Sequence, residues 1–285
     1  MGGGCEIVFL CNDERQTQDV IFAVVNEIKR IEAKFSRYLA TSIVSVINQD
    51  AGIKATPCDE ETWSLLTFAD HLFRESEGLF DITSGVFRRA WDFQKKIIPS
   101  ENQLADLLPF VNWGSVVRHK GSIYLPTQQM EIDFGGFGKE YAADRGALAM
   151  KNAGVAHGYV NLAGDMHVVG PKEDGSPWLI GIRDPRHPDK VTATIPMHQG
   201  GLATSGDYER FFEREGQRYC HILNPRTGMP VAYWQSVSVI APMAIVAGSS
   251  STLTMLKQEQ GLDYLKKSPF PYFCVNKTGE SFMNE

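Results

Sequence analysis

Ile132-Asp133-Phe134-Gly135-Gly136-Phe137-Gly138-Lys139 reads as the end of a strand, a glycine-rich turn and the opening of a helix. Glycines in such a turn let backbone N–H groups and carbonyls come close to a ligand, and the helix N-terminus that follows favours an anion such as a pyrophosphate. Lys139, in the first helical turn, adds a point charge. A tight turn with glycines also serves packing alone, so the segment by itself leaves both readings open. Its surroundings decide the fold class. The helix it opens, 139–153 closed by Gly154, is followed by strand runs at 158–162, 167–169, 178–183, 191–196, 201–203, 217–222 and 236–240. Strands therefore outnumber helices in the second half, and no GxGxxG follows the first strand, 5–10. A doubly wound parallel sheet is disfavoured, and an α+β fold is expected.

Upstream, Val20, Ile21, Val24, Ile28, Ile31 and Phe35 recur at helical spacing, which predicts a long amphipathic helix over 17–35 with Asp13 or Thr17 as its cap. A second helix over 59–77 buries Trp63, Leu66, Phe68, Leu72 and Phe73, and Gly78 ends it. The stretch 236–256 has no charged residue and reaches the length of a membrane span, about 20 residues. Strand-like alternation over 236–240, the break at Pro242 and the polar Gly248-Ser249-Ser250-Ser251 make it instead a buried strand, a turn and the final helix, starting near Val246.

Composition narrows the function classes. The 285 residues carry 28 basic and 34 acidic side chains, a net charge of −6, so there is no basic stripe for a nucleic-acid backbone. Five scattered cysteines without a CxxC pair suggest neither a disulfide framework nor a zinc site, and read as reduced, structural thiols. No repeat, low-complexity tract or linker divides the chain, so one compact unit is expected. The opening MGGGCEIVFL lacks the basic and apolar regions of a signal peptide and the apolar stretch of a lipoprotein signal before Cys5, and the chain is read as cytoplasmic.

Three further segments bear chemistry. In Asn161-Leu162-Ala163-Gly164-Asp165 the aspartate ends a buried strand, for which an Asx turn is a sufficient account. Ala203-Thr204-Ser205-Gly206-Asp207-Tyr208 gathers hydroxyls and a carboxylate after another strand, again compatible with ordinary turn chemistry. His221-Ile222-Leu223-Asn224-Pro225-Arg226-Thr227-Gly228 sets a histidine at a strand end before a turn. His221 is the best general-base candidate, since an unperturbed imidazole titrates near neutrality, although a lone histidine is more often structural. No nucleophile elbow or Ser-His-Asp order supports acyl chemistry.

Taken together and in this order, the segments resemble the ApbE family of FAD:protein FMN transferases along nearly the whole chain. Met1-Gly2 resembles its opening methionine-glycine, Ser36-Arg37-Tyr38 its S-x-Y, 42–48 its S-x-x-S-x-x-N and 80–85 its F-D-x-T-x-G. Residues 133–144 match D-x-G-x-x-x-K-x-Y-x-x-D, and 203–208 keep A-T-S-G-D-Y unchanged. Residues 161–165 stand for N-x-G-G-D with Ala163 at the first glycine, and 221–228 resemble H-I-I-D-P-R-T-G with Asn224 for aspartate.

The resemblance implies an ApbE-like, T-fold-related domain of two intertwined lobes with FAD in the cleft. FMN would pass from FAD to a threonine of a target protein, with release of AMP. Carried over position by position, the flavin and its ribityl chain would meet Met1, Tyr38, Leu79, Phe80, Asp81, Asp133, Lys139 and Ile222; for Phe80 and Ile222, core packing is the competing account. The family's magnesium would be held by the Gly136 carbonyl, a carboxylate at position 248 and Thr252. Here the family's A-D-x-x-x-T is Ala247-Gly248-Ser249-Ser250-Ser251-Thr252, and Gly248 has no ligand to offer a hard cation. FAD binding is therefore expected to survive and metal-dependent turnover to be reduced or absent. A flavin-binding protein that has lost transfer, using FAD as redox cofactor, sensor or carrier, is the alternative.

Overall fold

The computed structural model describes residues 3–11 and 13–284, so Met1 lies outside the described residues. Side-chain caps start the helices of the first half. After β1 (Cys5–Phe9), the Asp13 carboxylate accepts from the amides of Arg15 and Gln16 and opens α1 (Glu14–Phe35), which buries Val20, Val24, Ile31 and Phe35. Ser42 opens α2 (Ile43–Gln49) in the same way; after β2 (Thr56–Pro57), Asp59 opens α3 (Glu60–Glu75). Asp81 caps a 3-10 helix, Ile82–Arg89, and Ser100 with Gln103 forms a capping box on α4 (Glu101–Leu107). The strands β3 (Val117–His119) and β4 (Ser122–Tyr124) join β2 in a small sheet of order β2-β4-β3.

The helix after the glycine turn is α5 (Gly138–Asn152), but no strand ends at Ile132. Asn48 replaces the missing neighbour. Its Oδ1 accepts from the Ile132 amide at 2.7 Å and its Nδ2 donates to the Ile132 carbonyl at 3.0 Å, so one side-chain amide holds the extended backbone that a strand partner would otherwise hold.

Beyond α5 run β5 (Gly158–Leu162), β6 (Asp165–Gly170), β7 (Trp178–Arg183), β8 (Val191–Met197), β9 (Gly200–Gly206), β10 (Phe211–Arg214), β11 (Gln217–Cys220) and β12 (Trp234–Ala241). Helices α6 (Ala244–Lys257) and α7 (Gly261–Lys267), then β13 (Tyr272–Asn276) and β14 (Ser281–Met283), complete the chain. Seven strands form one antiparallel sheet of order β1-β5-β6-β9-β12-β13-β14. Val160, Leu162, Val237 and Val239 face a core shared with α1, α5 and α6, whereas Met166, Val168 and Leu202 pack with Ile182 and Met197 of the β7–β8 hairpin. With cover on both faces, β12 is buried at every position except Ile240. The α+β class stands.

Three further local expectations change. Asp165 does not end a strand: it opens β6, opposite Leu162, and Ala163-Gly164 is the connection. Thr204, Ser205 and Gly206 are not a turn after a strand but the end of β9, paired with Ser238, Val237 and Ser236, and the Thr204 and Ser238 hydroxyls meet at 2.8 Å. The helix expected to start near Val246 starts at Ala244 and is not the last element, because α7, β13 and β14 follow. The uncharged stretch is a strand, a turn and a helix, and no helix among the described residues is long and apolar enough to cross a membrane. All five cysteines are free, with Cys58, Cys220 and Cys274 buried.

Candidate active site at the first turn of helix α5

Successive residues of α5 face three ways, as a 3.6-residue helix requires. Tyr141 turns towards α1 and α3, where its hydroxyl donates to Glu61 at 2.8 Å. Asp144 turns towards α6 and caps it: its carboxylate accepts from the amides of Ala244 (2.7 Å) and Ile245 (2.9 Å), and His167 Nδ1 sits 2.6 Å away. This aspartate thus fixes the helix that carries Gly248 and Thr252. Lys139 and Glu140 turn inward.

Lys139 Nζ lies 2.7 Å from Asp165 Oδ2, and the other Asp165 oxygen accepts from the Thr204 amide at 3.1 Å. Burial works against the lysine's charge, but Asp165 and Glu140 outweigh it and raise its pKa. Glu140 is 7% exposed; burial first, then repulsion by Asp165, push its carboxyl well above the usual range, with Lys139 acting the other way. Its Oε2 has no hydrogen-bond partner among the described residues. On α6, a Cβ built at Gly248 would fall 2.5 Å from Glu140 Cγ and 2.7 Å from its Oε1. Four residues on, the Thr252 hydroxyl meets Ser205 Oγ at 3.1 Å; Ser205 also meets Ser251 at 2.7 Å, and Ser251 donates to the Gly248 carbonyl at 2.9 Å.

A second wall comes from the chain before α5. Arg37 is ion-paired to Asp133 and donates to the Tyr38 hydroxyl at 2.8 Å, with its guanidinium 4.9 Å from the Tyr38 ring centre. The tyrosine itself is 75% exposed. Burial would raise the phenol, yet Arg37 and Arg210 hold its pKa below the ordinary value. Asp133 also accepts from the Gly135 amide at 2.9 Å, which shapes the glycine turn. Under that turn Phe80 stacks on Phe137, ring centres 6.2 Å apart, and a Cβ at Gly136 would lie 2.9 Å from Phe80 Cζ. Both oxygens of Asp81 are engaged, by Thr83 (2.7 and 2.5 Å) and by the Trp113 amide (3.1 Å). Leu79 and Ile222 are half-buried against the core.

His221 closes the arrangement. Its amide donates to the Arg210 carbonyl at 2.9 Å, while its Nδ1 is buried and unpartnered among the described residues. Burial, then the charges of Arg210 and Lys139, lower its pKa to about 4. It therefore does not titrate near neutrality, as an unperturbed imidazole would; it is a neutral imidazole throughout the physiological range. Asn224 loses nothing by not being an aspartate in one respect: its Oδ1 accepts from the Arg226 amide at 2.9 Å and holds the turn. Gly228 at that turn's end has φ +70°, and a Cβ there would press within 2.8 Å of Phe87.

The family model described as "ApbE family" matches residues 1–273. The chain belongs to the ApbE family. Among solved structures, an ApbE protein of Thermotoga maritima matches with TM-score 0.90 at 31% identity, covering 100% of this chain and 94% of that one. A flavinyl transferase ApbE of Pseudomonas stutzeri matches with TM-score 0.88 at 25% identity, covering 100% and 92%. The FAD:protein FMN transferase of Haemophilus influenzae is 26% identical over 284 residues, 95% of this chain and 81% of that protein. That of Salmonella typhimurium is 28% identical over 258 residues, 87% and 74%.

Of the residues named from sequence, Tyr38 and Asp133 are joined through Arg37, Gly136 packs on Phe80, Thr252 meets Ser205, and Lys139 pairs with Asp165 and adds its charge to those acting on His221. Leu79 and Ile222 pack against the core, Asp81 turns its carboxylate into its own loop, and Met1 lies outside the described residues. No group of three His, Cys, Asp or Glu side chains is set to hold a metal among the described residues. The oxygens present around the inner face of α5, from carboxylate and hydroxyl, are nevertheless the donors that a hard cation takes, and Glu140 Oε2 is a buried acceptor with no donor among the described residues. Sequence reasoning missed Arg37, Ser205, Arg210 and Glu140. Arg37 and Glu140 fall on unspecified positions of ApbE motifs; the available signal for Glu140 was an acidic residue beside the motif lysine in a chain that lacks an acid at position 248.

Proposed function

We propose that this chain binds FAD in the cleft beside α5 and moves its FMN half to a threonine hydroxyl of a target protein, releasing AMP. The observation that carries the proposal is the first turn of α5, where Lys139 pairs with Asp165 beside Glu140 and adds its charge to those acting on His221, a neutral imidazole whose Nδ1 has no partner among the described residues. Support also comes from relatives bearing the name FAD:protein FMN transferase. In this reading Tyr38, Leu79, Phe80, Asp133 and Ile222 line the flavin side, and Asp81 positions the loop behind them. Lys139 faces the pyrophosphate and offsets charge as the anhydride breaks. The threonine oxygen forms a bond to the FMN phosphorus, the P–O bond to AMP breaks, AMP leaves with the bridging oxygen, and the hydroxyl proton passes to His221 Nδ1. Thr252 and the Gly136 carbonyl would help hold magnesium, which when bound neutralises charge on the pyrophosphate oxygens.

Gly248 favours a second reading. If Thr252 and Gly136 are the whole of the protein's donor set, the cation binds weakly, turnover is slow or absent, and the chain keeps FAD as redox cofactor, sensor or carrier. Intact mass separates the two. After incubation with FAD, magnesium and a threonine-bearing peptide, transfer adds one FMN-sized increment to the peptide. No adduct with magnesium, manganese or calcium sinks the transferase reading, and yellow colour retained through purification would then keep the second.

A further inference from the structure

We propose that Glu140 supplies the metal-binding carboxylate that the family places at position 248, so that the ligand has moved from α6 to α5 and the cation site is retained. The inference rests on the flavin-transfer reading, which it deepens. Its first support is space. A Cβ at position 248 would lie 2.5 Å from Glu140 Cγ, 2.7 Å from Oε1 and 2.9 Å from Cδ, so the glutamate's carboxyl end fills the volume from which any side chain at 248 would start. Glycine in a helix interior costs about 1 kcal/mol relative to alanine. What it obtains here is room for Glu140.

The second support is an orphaned acceptor. Glu140 is 7% exposed and its Oε2 has no partner among the described residues, a costly state for a carboxylate unless a cation or proton completes it. Lys139 already sits 2.7 Å from Asp165, so the ion pair the lysine makes goes to that carboxylate and not to Glu140. Thirdly, Thr252 is four residues from Gly248 on α6, hence on the same helix face that Glu140 packs against. Thr252 thus lies one turn along α6 from the Gly248–Glu140 contact, on the same face, and Asp144 fixes the two helices to each other by capping α6 from α5.

The test uses the full chain, Mn2+ as probe read by electron paramagnetic resonance, and FAD titrated separately by fluorescence. Wild type is expected to bind Mn2+, and Glu140→Gln to weaken that binding at least roughly tenfold. Gly248→Asp alone is expected to lower Tm because its Cβ meets Glu140, whereas Glu140→Gly combined with Gly248→Asp restores both Tm and Mn2+ affinity. Should Glu140→Gln fail to fold, the double variant decides, since it must bind Mn2+ if the site is where we place it. The proposal is overturned if wild type binds no Mn2+, if Glu140→Gln binds it as tightly as wild type, or if Gly248→Asp alone folds normally and gains affinity. Absence of FAD binding with loss of Mn2+ in Glu140→Gln would instead sink the transferase reading and keep the ligand assignment.

Discussion

Two charged clusters lean on helix α5, one on its outer side and one on its inner side. On the outer side, Glu61 accepts from Arg30 (2.8 and 2.7 Å), Lys34 (2.6 Å) and the Tyr141 hydroxyl (2.8 Å), and Arg30 and Arg145 also engage Glu27. Hydrogen bonds from Arg30 first, then Lys34 and Tyr141, hold the Glu61 carboxyl well below the usual range despite some burial. On the inner side, Lys139 pairs with Asp165 beside Glu140, and two buried polar atoms, Glu140 Oε2 and His221 Nδ1, have no partner among the described residues. Folded proteins pair nearly all buried polar atoms. Beside the outer cluster the Thr62 hydroxyl is unpaired among the described residues, but the carboxylates Glu27 and Glu61 are both paired. The outer cluster is therefore built for holding elements together and the inner one, with an unpaired carboxyl oxygen and imidazole nitrogen, for something that arrives from outside.

The largest effect expected of a single change falls on the inner cluster. Lys139→Met leaves the buried Asp165 and Glu140 without their cation; because the lysine side chain is 36% exposed, the loss is set at the lower end of the buried-pair range, about 3 kcal/mol, and urea midpoints should fall accordingly and FAD affinity with them. A variant as stable as wild type would mean that the lysine does not balance these carboxylates, and the contrast between clusters would fail. Next comes His221. Its folded pKa, about 4, lies below the unfolded value of about 6.5. As pH falls below about 6.5 the unfolded chain takes up a proton that the folded chain refuses until about pH 4, so stability is lost across that window, by about 3 kcal/mol in all. Stability curves between pH 7 and 4 should differ in slope between wild type and His221→Gln; parallel curves would contradict a buried neutral imidazole. Smaller still is Glu61→Gln. The folded carboxyl is depressed, so its contribution is present above the unfolded value near 4.5 and is lost as pH falls through the folded one. Because the network is partly open to solvent, about 1 kcal/mol is expected. FAD and Mn2+ affinity should not move, and if either falls with Glu61→Gln the outer cluster is part of the site after all.

Much of this was legible in the sequence because it is written in short-range terms. Asp13, Asp59 and Gly78 punctuate helices by local chemistry, and the strand runs 158–162 and 178–183 have the boundaries read from their residues. The losses occur where a distant residue does a local job. Asn48 holds Ile132 in place of a strand, Val237 and Ser238 extend β9 past Ala203, and β12 gives β13 the partner that five residues alone do not announce. The site shows the same division. Motif residues were visible one by one, but Gly248 looked like a bare loss because its meaning lies in Glu140, 108 positions earlier in sequence and in contact only after α5 and α6 pack. Asp81, which the resemblance sets against the flavin, has its oxygens engaged by the Thr83 and Trp113 amides, and Trp113 lies too far along the chain for the motif to announce it.

The mildest perturbation reaches the inner cluster from the backbone side. Ala163 has φ +55° and Gly164 φ +97° in the two-residue connection between Leu162 and Asp165, a hairpin geometry that needs the left-handed region twice. Asn161 Oδ1 steadies it by accepting from the Gly164 amide at 2.9 Å. Alanine in that region costs roughly 1 kcal/mol, and the family pattern has glycine there. Ala163→Gly should relieve the strain but also loosen the unfolded chain, so a net gain of about 0.5 kcal/mol is expected, a rise in Tm of about 1 to 2 °C. The next residue after this turn is Asp165, the lysine's partner. If Tm rises while FAD and Mn2+ affinities hold, the strain belongs to the hairpin alone and the inner cluster is positioned by side-chain pairing. If affinity falls as Tm rises, the strained alanine is what keeps the carboxylate in register, and the inner cluster depends on backbone strain as the outer one does not.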